Sequence, residues 1–315
     1  MRAVVFDRYG PPEVLRQAEL PVPVPRGDEL LIRVHATTVT SAECGMRRGE
    51  PRWGRVIIGP VRPRRAIRVL GLEFAGEVAA TGPDAATYRA GDRVFGFTGF
   101  GVGANAEFKC LSEKASLTTV PADVPYAEAA ATVDGFTTAW YFLHKLAGIR
   151  AGQRVLVIGA SGSIGTYAVQ LAARAGAEVH GVCSGRNVKL VESLGAARVF
   201  DYTAEDFTTS GERYDAVFDT VGRSSFGRCR PVLSGSGVYL PTTGLVNNVH
   251  ALRTRRVKTG FSVRKHEALA ELRGLLDREE LRIVIDRTYP LSEIVTAHRY
   301  VDTGRKVGNV VVTVP

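Results

Sequence analysis

Apolar and polar positions in the first third of the chain alternate in short runs that Gly and Pro interrupt. ELLIRVHATTV, FAGEVAATG and DRVFGF are the clearest, and turn signals such as Gly91-Asp92 stand between them. Alternation turns one face of a strand inward and the other outward, so a compact, mostly β domain is predicted. The opening MRAVVFDRYGPPEVL reads as a short strand followed by a turn at Gly10-Pro11-Pro12.

From about Gln153 the pattern changes. QRVLVIG is a continuous apolar run of the kind a strand buried on both faces requires. Ile164, Tyr167, Ala168, Leu171, Ala172 and Ala175 follow at steps of three and four, which places them on one helical face. AEVHGVC (strand), NVKLVESLG (helix ending at Gly195), ARVFDY, YDAVFDTVG and GVYLP (strands) continue the alternation. Strands alternating with helices predict βαβ units and a doubly wound parallel sheet, so the fold class is α/β. The C-terminal part reads as an amphipathic helix in HEALAELRGLLDREEL and a strand and turn in RIVIDRTYPL. A short helix stopped by Gly304 and a last strand, NVVVTV, complete it. The chain is therefore expected to begin in a β domain, cross into a doubly wound one, and return.

The strand-to-helix junction carries the chemistry. In VLVIGASGSIGTYAVQLA the loop Gly159-Ala160-Ser161-Gly162 follows a strand and opens a helix through Ser163, Ile164 and Gly165. In the register of the dinucleotide fingerprint Ala160 holds the first Gly position. Gly162 would admit the pyrophosphate, and Gly165 would allow close helix–strand packing. Free N–H groups around Ser163 and Ile164 would face the phosphates. A structural Gly turn is the competing reading. At the end of the next strand, where an NAD enzyme places a carboxylate, the chain has Ser184, then Gly185, Arg186, Asn187 and Lys189. Ser, Arg and Lys donate to a 2′-phosphate that a carboxylate would repel, which favours NADPH over NADH.

Composition narrows the classes. A hydrophobic content of 45% and only short apolar runs fit a soluble globular enzyme and predict no membrane span. The N-terminus has no signal-peptide pattern, so a cytoplasmic location is expected. Cys44, Cys110, Cys183 and Cys229 form no CxxC pair and read as free thiols. The net charge of +9 comes largely from Arg, concentrated in Arg47–Arg68 and again at Arg253, Arg255, Arg256 and Lys258. Such clusters can attract phosphate groups, nucleic acid or an anionic membrane surface. A solvated basic face or an anionic substrate is the expected reading, and no membrane partner is expected. No nucleic-acid-binding module accompanies them, so nucleic acid is not expected as the main partner.

GIRAGQRVLVIGASGSIGTYAVQLA, VCSGRNVKLVESLGA, FDYTAEDF, YDAVFDTVG and AHRYVDTGRKVGNVVVTV, with MRAVVFDRYGPPEVL, GLEFAGEVAATG and AGDRVFGF before them, resemble zinc-independent medium-chain reductases of the quinone oxidoreductase type. The resemblance covers nearly the whole chain. It implies a GroES-like catalytic domain over residues 1–122, completed by 264–315, and a Rossmann domain over 123–263. NADPH would lie in the cleft between them, and a homodimer would form through the Rossmann sheets. It also implies roles for particular residues. Tyr202 would lie near the adenosine 2′-phosphate, and the Thr220-Val221-Gly222 turn beside the adenine ribose. Thr138 and the Thr242-Thr243-Gly244 turn would flank the nicotinamide, and Lys306 and Asn309 would close the cleft.

Zinc-dependent relatives carry Cys where this chain has Thr40, His where it has Leu72, and a further Cys near Asp134. None of the three supplies a thiolate or imidazole, so no metal is expected. Thr40 also stands where quinone reductases commonly have Asn, which opens the substrate question. The expected reaction is hydride transfer from NADPH to a quinone, an enone or a related carbonyl, a small electrophile. Thr40, Ser41 and Thr138 are candidates for orienting its carbonyl oxygen, or they only cap backbone groups. Two alternatives stand beside this. One is a dedicated biosynthetic reductase of a bulkier or anionic intermediate, with Arg47–Arg68 and its Trp53, Val56, Ile57 and Ile58 as a lid. The other is a non-catalytic NADPH-binding structural or sensor protein.

Overall fold

A computed structural model of the 315-residue chain describes residues 1–242, 254–261 and 265–315. Its contacts divide it into Met1–Asp134 with Arg264–Pro315, and Gly135–Val263. The division falls inside the continuous helix Tyr126–Trp140, twelve residues beyond the 122/123 boundary read from sequence. A helix that stays helical while its contacts change partner leaves no break in the pattern at that point.

The first unit is built on a seven-stranded sheet. Its strands are β3 (Glu29–Thr38), β4 (Glu73–Thr81), β5 (Arg93–Phe97), β6 (Phe108–Ser112), β7 (Leu117–Thr119), β13 (Ile285–Pro290) and β14 (Asn309–Thr313). The order is β13-β14-β3-β4-β5-β7, with β6 pairing β3. A separate ribbon joins β1 (Arg2–Val5) to β2 (Arg16–Glu19). In β3 the inward set Leu30, Ile32, Val34 and Ala36 is buried while Arg33 is exposed, so the alternation read from sequence is the pleat itself. Leu30, Ile32 and Val34 pack with Val4, Phe6, Phe74, Val78, Val94, Val310 and Val312 into one core. Each large one contributes about 1.5–3 kcal/mol of burial. Thr40 caps a helix, Ser41–Arg48, that the apolar pattern did not mark.

The second unit carries β8 (Arg154–Ile158), β9 (Glu178–Cys183), β10 (Arg198–Asp201), β11 (Tyr214–Asp219) and β12 (Leu233–Pro241), all parallel. Their order, β10-β9-β8-β11-β12, reverses direction between β8 and β11. That is the doubly wound arrangement, and its ligand crevice lies beyond the C-terminal ends of the strands at the reversal. Val155, Leu156 and Val157 are wholly buried, which explains the unbroken apolar run. In the following helix, Ser163–Arg174, Tyr167, Ala168, Leu171 and Ala172 are buried as their spacing predicted. Gln170 is buried too, with Nε2 donating to the Thr166 carbonyl (3.0 Å).

Two expectations change. The helix predicted over HEALAELRGLLDREEL stops at Asp277, and Glu279 beyond it takes a left-handed backbone (φ 54°). The basic residues are not one solvated face. Arg47 is fully buried and ion-paired to Asp302, and Arg48 pairs with Glu50 and Asp302. Arg256 and Lys258 donate to the carbonyls of Gly237, Ser234 and Leu146. No helix among the described residues is long and apolar enough to cross a membrane.

Candidate functional site

In the second unit the loop after β8 is shaped by Gly159, whose φ of 80° lies in the left-handed region. A Cβ there would fall 2.6 Å from Val221 Cγ1 and 2.8 Å from Thr220 Oγ1, so this loop and the one after β11 touch. Gly162 caps the helix Ser163–Arg174 with extended backbone and offers no side chain. Gly165 faces Gly159, and a Cβ on it would lie 2.1 Å from the Gly159 carbonyl. The helix start is thereby drawn against the strand end, and Gly162 puts no side-chain cap over it. Ala160 is fully buried and Ser161 nearly so, with Ser161 Oγ accepting from Asn187 Nδ2 (3.0 Å).

Asn187 Nδ2 also donates to Ser184 Oγ (3.2 Å), joining the β8 and β9 loops. Ser184 precedes the turn Gly185–Asn187, and Arg186 and Lys189 are exposed beside it. Asp201, at the end of β10, lies against this turn. A Cβ on Gly185 would lie 2.3 Å from its Oδ2. Hydrogen bonds from the Thr203 backbone and hydroxyl, and from the Gly185 backbone, hold its carboxyl below the usual range. Tyr202 next to it is exposed.

Asp219 organises the loop after β11. Its Oδ1 accepts from the N–H of Val221 (3.2 Å) and Gly222 (2.8 Å). Its Oδ2 accepts from Ser224 N and Tyr239 OH, both at 2.9 Å. Burial and the adjacent Asp219 charge push the Tyr239 hydroxyl far above its ordinary value. Thr242 follows β12, its hydroxyl donating to the Asp219 carbonyl (3.2 Å). Thr243 and Gly244 lie outside the described residues. The loops after β8, β9, β11 and β12 thus gather Gly159, Ser184, Val221 and Thr242 at one end of the sheet. Nothing in the local pattern marked Asp219 or Asn187; Asp219 ends an apolar strand and reads as an ordinary turn residue.

The first unit contains a second polar cluster. Glu73 is buried at the start of β4, its Oε1 accepting from the Thr38 hydroxyl and its Oε2 from Asp134 N (2.6 Å). Burial, then the Asp134 charge, pushes the Glu73 carboxyl up to about 8. Asp134 pairs with the buried Lys265 (2.9 Å), whose ammonium also sits 4.3 Å from the Phe97 ring centroid. Lys306 donates to the Gly308 carbonyl (2.6 Å), and burial pulls its ammonium down to about 8. Asn309 Nδ2 donates to the Val284 carbonyl (3.2 Å). Sequence reasoning named Lys306 and Asn309 but not Lys265.

Of the candidate carbonyl-orienting residues, Thr40 accepts from Glu43 N through Oγ1 (3.0 Å) while capping Ser41–Arg48. Capping uses an acceptor lone pair and leaves the O–H available to donate. Ser41 is exposed, and Thr138 is partly exposed on the helix Tyr126–Trp140. Thr40 and Ser41 belong to the first unit and Thr138 to the second.

Residues 26–122 match the model of the alcohol dehydrogenase GroES-like domain, and residues 194–312 that of the zinc-binding dehydrogenases. The chain is 30% identical to the chloroplast envelope quinone oxidoreductase homolog of Arabidopsis thaliana, over 99% of this chain and 98% of that protein. It is 30% identical to the mitochondrial NAD(P)H oxidoreductase RTN4IP1 of Mus musculus, over 100% of this chain and 89% of that one. The solved structure of the quinone oxidoreductase from Coxiella burnetii is similar at a TM-score of 0.92 and 30% identity, covering 100% of this chain and 99% of that one.

The second family model bears zinc in its description, so the donor set matters. Among the described residues no three His, Cys, Asp or Glu side chains are grouped to hold a metal ion. Glu73 spends both oxygens on Thr38 and Asp134, and Thr40 and Leu72 are not zinc ligands. The described residues supply no donor set that fits a catalytic zinc. With its GroES-like sheet, its parallel Rossmann sheet and these relatives, the chain belongs to the quinone-oxidoreductase-like medium-chain dehydrogenase/reductase family.

Proposed function

We propose that this chain is an NADPH-dependent, zinc-free reductase that transfers hydride to a quinone, an enone or a related carbonyl compound. The observation that carries the cofactor choice is the turn after β9. Ser184, Arg186 and Lys189 stand where a ribose-binding carboxylate would, and Asp201 beside the turn is engaged by Thr203 and Gly185. Two cations and a hydroxyl at that place suit a 2′-phosphate. The quinone oxidoreductase and NAD(P)H oxidoreductase names of the relatives support the reaction class.

Bound NADPH would supply the hydride. The chain's part is to hold the cofactor at Gly162 and the helix start, and to orient the acceptor. For an enone, hydride adds to the β-carbon, the π electrons move onto oxygen, and one proton from solvent completes the saturated ketone. The Thr40 O–H is suited to donate to that oxygen as its charge grows, an electrostatic contribution rather than acid catalysis. A cytoplasmic location and a homodimer belong to the same reading.

Titration of the purified protein with NADPH and with NADH, followed by turnover on a panel of quinones and enones, tests it. Tighter binding of NADPH with oxidation in the presence of an acceptor is expected. Preference for NADH would remove the assignment of the β9 turn. Binding of neither would remove the reductase.

A further inference from the structure

Four of the nine large apolar side chains that the described residues expose fall within nine positions of the first unit. They are Trp53 (57% exposed), Val56 (72%), Ile57 (54%) and Val61 (84%). Apolar exposure concentrated in this way marks an interaction surface, whereas scattered exposed side chains do not. The segment is held from beneath. Arg55 Nε donates to the Gly49 carbonyl (3.0 Å) and its guanidinium lies 4.6 Å from the centroid of the Tyr9 ring. The Tyr9 hydroxyl donates to the Gly59 carbonyl (2.6 Å), and Ile58 is buried. With these groups facing inward, the short helix Arg55–Ile58 and the turn before it present Trp53, Val56 and Ile57 outward.

Along the chain, the charges of this segment have one sign. Arg52, Arg62, Arg64 and Arg65 are exposed, and no Asp or Glu occurs from Pro51 to Leu72. Arg64 donates to the Val56 carbonyl (3.0 Å), while Arg52, Arg62 and Arg65 make no ion pair with any of the described residues. Their cationic heads are thus available to a partner beside the apolar side chains.

We infer that Trp53–Arg65 is a peripheral docking surface for an anionic lipid bilayer. A bilayer surface presents both chemistries at once. Its phosphates answer the arginines, and the zone beneath them admits an indole ring and short aliphatic side chains. Nucleic acid would use the arginines and leave Val56, Ile57 and Val61 in water. The sequence reading expects no membrane partner and no membrane span; docking on the surface requires no span. Lipophilic electrophiles such as quinones partition into bilayers, so the surface would bring the reductase to where they collect.

The test uses the whole chain with vesicles of phosphatidylcholine alone or mixed with phosphatidylglycerol, read by co-sedimentation and tryptophan emission. The chain has two Trp, and Trp140 is buried, so a blue shift reports Trp53. Binding to the mixed vesicles with a blue shift is expected. Trp53→Ser/Ile57→Ser and Arg62→Glu/Arg65→Glu should each weaken it about tenfold or more. All four side chains are exposed, so both variants should keep the wild-type melting temperature. Failure to bind the mixed vesicles overturns the proposal. So does binding that the Trp53/Ile57 variant leaves unchanged, which would be charge adsorption alone. Salt-sensitive RNA retention without vesicle binding would reassign the arginines. A raised KM for a soluble quinone in the Trp53/Ile57 variant, again without vesicle binding, would make the segment a cover over the substrate.

Discussion

Glu73 Oε2 accepts a 2.6 Å hydrogen bond from the backbone N–H of Asp134, which ties the first residue of β4 to the helix Tyr126–Trp140. The same Asp134 presents its carboxylate to Lys265. Two acids and a lysine therefore share one buried region, and burial with the Asp134 charge leaves Glu73 reluctant to ionise.

A stability profile follows from this. The unfolded Glu73 carboxyl titrates near 4.5 and the folded one at about 8. Between those values the folded protein keeps a proton that the unfolded chain has released, so stability falls as pH rises through the window. The limit is about 1.4 kcal/mol per pH unit. Lys306, with about 8 folded against 10.5 unfolded, acts in the next window, where stability rises with pH. Glu73→Gln preserves the neutral form's shape, its Nε2 able to donate to Thr38 and its Oε1 to accept from Asp134. Urea midpoints taken from pH 5 to 8 should decline for the wild type and stay nearly flat for Glu73→Gln. Parallel declines would show that Glu73 titrates normally.

Specificity for the 2′-phosphate should reside in the turn after β9. Arg186→Ala and Lys189→Ala are each expected to weaken NADPH binding about tenfold while leaving NADH binding nearly unchanged, the loss of one charge-assisted contact. Ser184→Glu should go further and reverse the preference, since the new carboxylate would face the 2′-phosphate. Calorimetric titration of each variant with both cofactors decides this. Equal losses for NADPH and NADH would place Arg186 and Lys189 elsewhere on the cofactor.

The two helix-start glycines should fail in different ways. A Cβ on Gly165 would lie 2.1 Å from the Gly159 carbonyl and 2.8 Å from backbone atoms of Ala160, so Gly165→Ala must push the helix from the strand. Overpacking of this kind costs about 1–3 kcal/mol. A Cβ on Gly162 meets only the Gly159 carbonyl, at 3.3 Å, and its backbone (φ −83°) suits any residue. Gly162→Ala should therefore keep a near wild-type melting temperature and lose affinity for NADPH and NADH alike, because the methyl occupies the pyrophosphate's approach. A normal affinity in that variant would place the pyrophosphate away from Gly162.

The Rossmann unit was legible because its signals are local. The run VLVI, the three-and-four spacing through Tyr167 and Leu171, and the Gly159–Gly165 loop all lie within some twenty consecutive residues. The buried clusters were not, because their partners are distant in sequence. Glu73 and Asp134 are separated by 61 positions, Asp134 and Lys265 by 131. Arg47 and Arg52 look alike along the chain. Only the fold, which brings Asp302 to Arg47 and leaves Arg52 in solvent, tells a buried ion pair from a surface charge. The helix Ser41–Arg48 escaped notice because it carries Arg, Glu and Gly with few apolar residues, so its Thr40 cap was a sounder signal than its periodicity.

Thr40 serves two purposes that substitution can separate. Its oxygen caps Ser41–Arg48, and its O–H remains to orient a substrate carbonyl. Thr40→Val removes both, so the helix should lose about 1 kcal/mol and turnover should fall. Thr40→Ser keeps both. Thr40→Asp is the informative variant, since its carboxylate caps the helix N-terminus well but cannot donate to an acceptor's oxygen. Melting temperature should follow the cap, with Ser and Asp close to wild type and Val lower. The rate of NADPH oxidation by a quinone should follow the donor, with Ser close to wild type and both Val and Asp about tenfold or more slower. NADPH affinity should stay constant across the series. A rate that tracks melting temperature would show that Thr40 matters only as a cap and would move the search for a carbonyl donor to Ser41 and Thr138.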